Sequence, residues 1–506
     1  MAGTQRALTL VETPNKTLSL CLRRVRSRMH AVTRTSSLSS SSSSSSSLPV
    51  SLVLVVGSTG AGKSQLAHAV ARATSARLLN CDAMQMYSGF DVATNKASEQ
   101  ERVGLAYGML GTLPATRLHY RVSDFVNDAV PQLEADAAAS GSSLAIAVGG
   151  TNCYVEALLW RSLIGATDVH GDQVDTLDAA LSPDDARLLQ MAPAERFAEL
   201  ARVDPTMASK LHANDERRVL RSLQIFHRTG VRQSALLVGA ESSQHSGALR
   251  FARTCVLWVD CDQDVLDART DARVDRMLRD GLLDELVQLR QTLQHAEAAL
   301  PDAQRVALGD IRFPFGVAQA IGYKEFADCF AFLDALSPDD LAATLAAIRS
   351  GAAAQLPAAL THDRRLALDN AVLQIKTNTR RYARAQRKWI RKRFVATDDD
   401  GGGGVPDSGD RAVYRFDSSD AAAFESQAVP LAVDVVRAFL ARSGSPLAPI
   451  GVLPRLTPSS AERVRGWSKH VCDVCNRQVN GDAEWQAHVK SKAHRNAARA
   501  KSSGDV

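Results

Sequence analysis

No apolar run reaches the roughly 18 or more residues that a membrane-spanning helix requires. The longest candidates, at 52–56 and 144–148, are strand-length, so a membrane span is excluded. Cysteine is also scarce, at eight residues in 506. Cys21, Cys81, Cys153, Cys255, Cys261 and Cys329 have no partner spacing, which excludes a disulfide scaffold and favours a reducing compartment. Hydrophobic residues at 45% and charged residues at 23% exclude disordered and collagen-like classes. The length accommodates about two to four domains.

A net charge of +5 hides an uneven distribution. Residues 1–34 carry seven Lys/Arg against one acid, Glu12; residues 376–394 carry nine and no acid; residues 462–501 carry nine against four. Clustered basic charge is the footprint of a polyanion-binding protein. The Arg- and Ser-rich stretch 1–48, with its serine run at 36–47, cannot bury a core; it reads as an organellar transit peptide or a disordered extension. The expected location is the mitochondrion, the cytoplasm or both, with the nucleus a further option.

From residue 51 the pattern is strand (52–56), glycine loop, helix (64–73), then strand-like runs at 77–81, 144–148 and 255–260. This alternation predicts an α/β fold with a parallel sheet. The stretch 167–247 has no strand-like run and reads as helices at 183–191, 194–203 and 215–229, a helical insertion in a core spanning 49–166 and 248–395. Further helices are expected at 264–280, 282–295 and 371–394. After the Asp/Gly break at 398–404, residues 396–460 read as a linker with a small extension (strand 413–416, helix 431–442), and 461–506 as a separate terminal module.

Gly57, Ser58, Thr59, Gly60, Ala61, Gly62, Lys63 and Ser64 form a phosphate-binding loop between a strand and a helix. Backbone N–H groups and the helix N-terminus suit a di- or triphosphate, Lys63 reaches the phosphates, and Ser64 is placed to ligate Mg²⁺. The strand at 144–148 ends in Gly149-Gly150-Thr151 rather than the metal-holding Asp usual in nucleotide hydrolases and kinases. Asp82 is a candidate general base, with a metal carboxylate or helix cap as its alternative readings, and Asp260 is a second candidate metal carboxylate. Cys472, Cys475, His488 and His494 have the spacing of a structural Zn²⁺ site. The helix over 376–394 has basic residues nearly all round, read as a phosphate-backbone contact; its Tyr382 and Trp389, seven apart, are either base-stacking platforms or core contacts.

These blocks, together with 80–87, 91–96, 149–154, 214–221, 273–277 and 319–325, resemble the tRNA dimethylallyltransferase (tRNA isopentenyltransferase) family of the eukaryotic type. The resemblance runs over about 52–394 and again over the terminal finger. It implies transfer of a five-carbon prenyl group from dimethylallyl diphosphate to N6 of the adenosine 3′ of the anticodon, with release of diphosphate. On the same basis Asp82 is the base and Arg273 a diphosphate contact, while Thr94 and Lys96 neighbour the reaction channel. Asp82, Ala83, Met84, Gln85 and Thr151 match positions touching the target base. Arg217, Arg218, Arg221, Gln319, Gly322, Tyr323, Lys324, Arg384, Arg387, Lys388, Trp389 and Arg391 match segments contacting the tRNA anticodon stem-loop. A monomer is expected. Departures such as Ser58 and Gly60 in the loop, and Cys81 and Ala83 around Asp82, are mild. Rival readings are an adenylate isopentenyltransferase, which needs neither the basic helix nor the finger, and a P-loop ATPase or kinase, which lacks its strand-terminal Asp. A non-catalytic RNA-binding protein is disfavoured by the presence of Lys63, Ser64, Asp82 and Arg273 together.

Overall fold

A computed structural model describes residues 50–117, 120–139, 143–161, 183–235, 249–251, 253–298, 316–352, 356–395, 411–453, 469–475, 477–480 and 482–502. The segment 1–48 and the Asp/Gly break at 398–404 lie outside them. Six parallel strands, β1 (Ser51–Gly57), β2 (Leu78–Asn80), β3 (Tyr107–Gly108), β4 (Leu144–Gly149), β5 (Arg253–Asp260) and β6 (Ala412–Asp417), lie in the order β3-β2-β4-β1-β5-β6. A short antiparallel strand, β7 (Gly451–Val452), pairs with β6. The parallel α/β architecture expected from the sequence is the one observed.

Helices cross between the strands. Helix α1 (Lys63–Thr74) follows β1, α2 (Val122–Ala139) precedes β4, and α3 (Asn152–Leu159) follows it. Helices α4 (Pro183–Gln190), α5 (Pro193–Val203), α6 (Pro205–Lys210) and α7 (Glu216–Thr229) are among those that come before β5. Five more lie between β5 and β6: α8 (Gln263–Arg279), α9 (Leu282–Ala298), α10 (Ala327–Asp334), α11 (Pro338–Ser350) and α12 (His362–Phe394). Helix α13 (Val429–Ala441) follows β6. Beyond it lie the hairpin β8 (Lys469–Cys472) and β9 (Arg477–Asn480) and the helices α14 (Asp482–Val489) and α15 (Lys492–Ser502).

Every residue of β1 is buried, because helices cover both faces of the sheet. The strand's two-residue period divides its side chains between two cores. Val53 and Val55 pack with Leu66 and Val70 of α1 and Val435 and Val436 of α13, whereas Leu52, Leu54 and Val56 pack with Phe125 of α2, Leu158 of α3, and Ile390 and Phe394 of α12.

Residues 411–453 of the segment read as a linker with a small extension are therefore part of the central fold. β6 pairs in register with β5, from Val256↔Val413 to Asp260↔Asp417, and α13 packs on α1. A lone short apolar run in sequence gives no sign of which sheet it will join.

The inserted helices α4–α7 have a core of their own, including Leu188, Leu200, Val203, Met207, Val219 and Leu223. Where the chain leaves and rejoins the sheet, Trp160 and Leu249 pair in an antiparallel bridge. Asp204, buried at the N-cap of α6, accepts hydrogen bonds from the N–H groups of Met207 (3.1 Å) and Ser234 (2.9 Å).

Leu54→Ala is expected to lower the unfolding free energy by about 2–5 kcal/mol in urea titration. Leu223→Ala is expected to lower hydrogen-exchange protection in α5 and α7 while leaving β1 and β5 protected.

Candidate active site and metal centre

Two opposite charges meet at the carboxyl edge of the sheet. Lys63 starts α1 directly after Gly62, whose backbone is left-handed (φ 95°), a conformation that disfavours a side chain at this turn. The Lys63 Nζ folds back to donate to the Ser58 carbonyl at 2.8 Å. Asp82 follows β2, where the Asn80 side chain shapes its turn by accepting from the Asp82 N–H (3.0 Å) and donating to the Asp82 carbonyl (2.9 Å). The two charged groups flank Gly150: a methyl on its Cα would lie 3.6 Å from Lys63 Nζ and 3.7 Å from Asp82 Oδ2.

Burial disfavours both charges. It pushes the Asp82 carboxyl above its ordinary range, opposed by Lys63, by the N–H groups of Met84 and Gln85 and by Arg273. It lowers Lys63 to about 8, opposed by Asp82 and assisted by Arg273. Arg273, on α8, donates to Thr59 Oγ1 at 2.7 Å and so reaches the loop. Loop, carboxylate and two cations thus converge at one place, an arrangement able to hold a diphosphate beside a proton acceptor. Asp82 Oδ1 also accepts from the Met84 N–H at 3.2 Å, just ahead of the short helical turn Met84–Met86, whose N-cap residue is Ala83. Ser64 lies exposed on the first turn of α1.

Other expected site residues serve the frame. Thr151 Oγ1 accepts from the Ala83 N–H (2.9 Å), and Gln85 Nε2 donates to the carbonyls of Thr94 (3.3 Å) and Asn95 (2.8 Å). Thr94 is buried and bonds the Phe90 carbonyl; Lys96 is folded onto Asp91 at 2.6 Å and Gly89. Both expected channel neighbours therefore stabilise the 90–96 loop with their side chains. Met84 packs on the α8–α12 core. Tyr323, expected to touch RNA, is 2% exposed and stacks at a tilt on Phe330. Gly322 is buried and its N–H donates to Glu325 at 2.8 Å, Gln319 is half-buried, and Lys324 alone in that block is exposed.

The uniform basic face expected of α12 is divided. Asp267, Asp271 and Asp275 of α8 pair with Arg384, Arg380 and Lys376, a ladder in which both helices step by four residues and run in opposite directions. Arg387 and Arg415 enclose buried Asp260, with Arg387 at 2.8 Å, which corrects its reading as a metal carboxylate. Arg393 pairs with buried Glu156 at 2.7 Å. Arg381, Lys388, Arg391 and Lys392 are exposed, with no carboxylate partner among the described residues. Tyr382 and Trp389 are 40% and 42% exposed, so neither is a core contact. Trp389 is fixed by donating to Glu156 Oε1 at 2.9 Å. On α7, Arg218 is exposed and pairs with Asp215 at 3.4 Å, and Arg221 is half-buried. The Arg217 backbone belongs to the helix, but its side chain is outside the described residues.

Several contributors carry no local signal. Glu285 of α9 accepts from the N–H groups of Val92 (3.0 Å) and Ala93 (2.8 Å), fixing the loop after Asp82. Ser418 donates to the Ala61 carbonyl at 2.8 Å, and the Phe424 ring lies behind Gly62. Gln386 bridges Thr59 and Gly150. Only their positions in the folded chain reveal them.

In the terminal module the ligand atoms of Cys472, Cys475, His488 and His494 all lie within 4.8 Å of one another. His494 Nδ1 lies 3.4 and 3.5 Å from the two sulfurs and 3.2 Å from His488 Nε2. Ligands about 2.0–2.3 Å from a tetrahedral Zn²⁺ have comparable mutual separations, so the donor set fits that ion. No helix among the described residues is long and apolar enough to cross a membrane.

Fold and site define a P-loop α/β protein with a long basic helix and an appended zinc finger. Residues 85–393 match the IPP transferase family, and residues 469–495 match the zinc-finger double-stranded RNA-binding family. The chain belongs to the IPP transferase family. It is 32% identical to a tRNA dimethylallyltransferase of Homo sapiens over 88% of this chain and 85% of that one. It is 30% identical to one of Schizosaccharomyces pombe over 68% and 69%. A solved eukaryotic dimethylallyltransferase acting on tRNA shares the fold with a TM-score of 0.61, covering 90% of this chain and 98% of that one at 23% identity.

Lys63 is charged below its lowered value of about 8 and neutral above it. Calorimetric affinity for inorganic pyrophosphate is therefore expected to fall as pH rises through about 8, and Lys63→Arg is expected to move that fall to higher pH. Cys475→Ser is expected to abolish stoichiometric zinc by elemental analysis, leaving pyrophosphate affinity unchanged.

Proposed function

We propose that this protein transfers the dimethylallyl group of dimethylallyl diphosphate to N6 of the adenosine 3′ of the anticodon in tRNA. The observation that carries the reading is the convergence of Lys63, Asp82 and Arg273 at the phosphate loop, beneath the helix that presents Arg381, Lys388, Trp389 and Arg391 to solvent.

The adenine N6 attacks the first prenyl carbon as the bond from that carbon to the diphosphate oxygen breaks. Asp82, its basicity raised by burial, accepts the N6 proton. Lys63, Arg273 and the loop amides stabilise the charge that grows on the leaving diphosphate. Mg²⁺ bound with the diphosphate would add positive charge there, and the Ser64 hydroxyl is the group on this chain to hold it. For the reaction the target base must leave its stack to reach Asp82. The exposed part of α12 and the finger bind the anticodon stem-loop, with the inserted helices gripping it. The protein acts as a monomer in the mitochondrion, the cytoplasm or both, with the nucleus a further location.

Purified protein with labelled dimethylallyl diphosphate and Mg²⁺ is expected to label unmodified anticodon stem-loop RNA and not AMP, ADP or ATP. Label only in free nucleotides would replace this reading with adenylate prenylation. Asp82→Ala is expected to lower kcat by about 10²- to 10⁴-fold, with RNA affinity in filter binding unchanged. Cys475→Ser is expected to weaken RNA binding and to spare kcat at saturating RNA.

A further inference from the structure

Gln386 lies inside the α12 segment that resembles an RNA contact, yet it is 3% exposed and faces the sheet. Its Oε1 accepts from the Thr59 N–H at 2.8 Å, and its Nε2 donates to the Gly150 carbonyl at 2.8 Å. The orientation of the amide follows from its partners, since a backbone N–H only donates and a carbonyl only accepts. The same turn is tied by its main chain. Ser58 Oγ donates to the Ala383 carbonyl at 2.9 Å, and Asn152 Nδ2 approaches the Gln386 carbonyl at 3.4 Å.

Thr59 is held from two sides, its N–H by Gln386 and its hydroxyl by Arg273. Gly150 is the residue flanked by Lys63 and Asp82. A single side-chain amide thus sets the distance between the diphosphate loop and the strand end beside the proton acceptor. No other residue type fits both bonds. Glu keeps the acceptor but turns a carboxylate oxygen on the Gly150 carbonyl, Asn is one methylene short, and Leu offers neither group.

We propose that Gln386 is a positioning residue of the diphosphate site, reached from the RNA-facing helix, and makes no RNA contact. The assignment rests on the function proposed above. Its consequence is that one helix serves both substrates, with Arg381, Lys388 and Arg391 outward toward RNA and Gln386 inward toward the loop.

The test uses the full-length zinc-loaded protein and three measurements on Gln386→Glu and Gln386→Leu: calorimetric affinity for inorganic pyrophosphate with Mg²⁺, filter-binding affinity for the stem-loop RNA, and steady-state KM and kcat. Loss of the Gly150 bond in Gln386→Glu, and of both the Thr59 and Gly150 bonds in Gln386→Leu, is expected to weaken pyrophosphate binding and raise the KM for dimethylallyl diphosphate by about ten- to hundredfold. RNA affinity is expected to stay at the wild-type value, and kcat at saturating diphosphate is expected to fall less than KM rises. If a variant fails to fold, Gln386→Asn, which withdraws the amide within the same pocket, takes its place with the same expectation. Wild-type pyrophosphate affinity in the folded variants, or lost RNA affinity with pyrophosphate binding intact, would overturn the assignment. Failure of the wild-type protein to prenylate RNA would overturn the function proposed above and leave the pyrophosphate comparison readable.

Discussion

A loop that offers amides to phosphate oxygens has few groups left to hold itself in place: within it the Ala61 N–H bonds the Ser58 carbonyl at 3.2 Å. The groups at 57–64 are therefore fixed from outside by partners far away in sequence. Ser58 bonds α12 through its hydroxyl, Thr59 bonds Gln386 and Arg273, and the Ala61 carbonyl takes a hydrogen bond from Ser418. Each partner belongs to an element that must already be docked, so the site forms only when α8, α12 and the β6 segment have closed on the sheet. This dependence explains why so much of the chain beyond the glycine loop is needed to make one anion site.

Burying Lys63 and Asp82 beside each other is unfavourable for each charge alone and tolerable for the pair. Their shifts have opposite signs because the same burial penalises whichever form carries charge. For a reaction that expels an anion and removes a proton, that pairing is useful. The Lys63 ammonium, held by the Ser58 carbonyl and by Asp82, is placed at the diphosphate loop, and the carboxylate is a stronger base than one in water.

Helix α12 must attach to the protein and also offer charge to a polyanion. Spacing separates the two tasks. Lys376, Arg380 and Arg384 recur every four residues on the α8 side, where each partly exposed pair adds at most about 1 kcal/mol but together they fix the register of the two helices. Arg381 and Lys388, seven residues apart, lie on a neighbouring stripe and stay open to solvent, as does Arg391 beyond the end of the ladder. A run of basic residues on one helix thus does not translate into an equal number of phosphate contacts.

Features encoded over a few consecutive residues were legible in the sequence: the glycine loop between strand and helix, the four zinc ligands, four central strands of the parallel sheet, and several of the helices. Each is dictated by backbone geometry or ligand spacing acting locally, so the residue pattern is sufficient. Tertiary structure decided what depends on partners hundreds of positions away. It placed 411–441 in the central fold, took Asp260 for an ion pair, turned Tyr323 into the core, and divided α12 between anchoring and exposure. It also brought in Gln386, Glu285 and Ser418, whose hydrogen bonds reach 327, 193 and 357 residues along the chain. Such pairings have no local periodicity. They are set when apolar faces pack and each buried polar group must find whichever partner that packing leaves within reach.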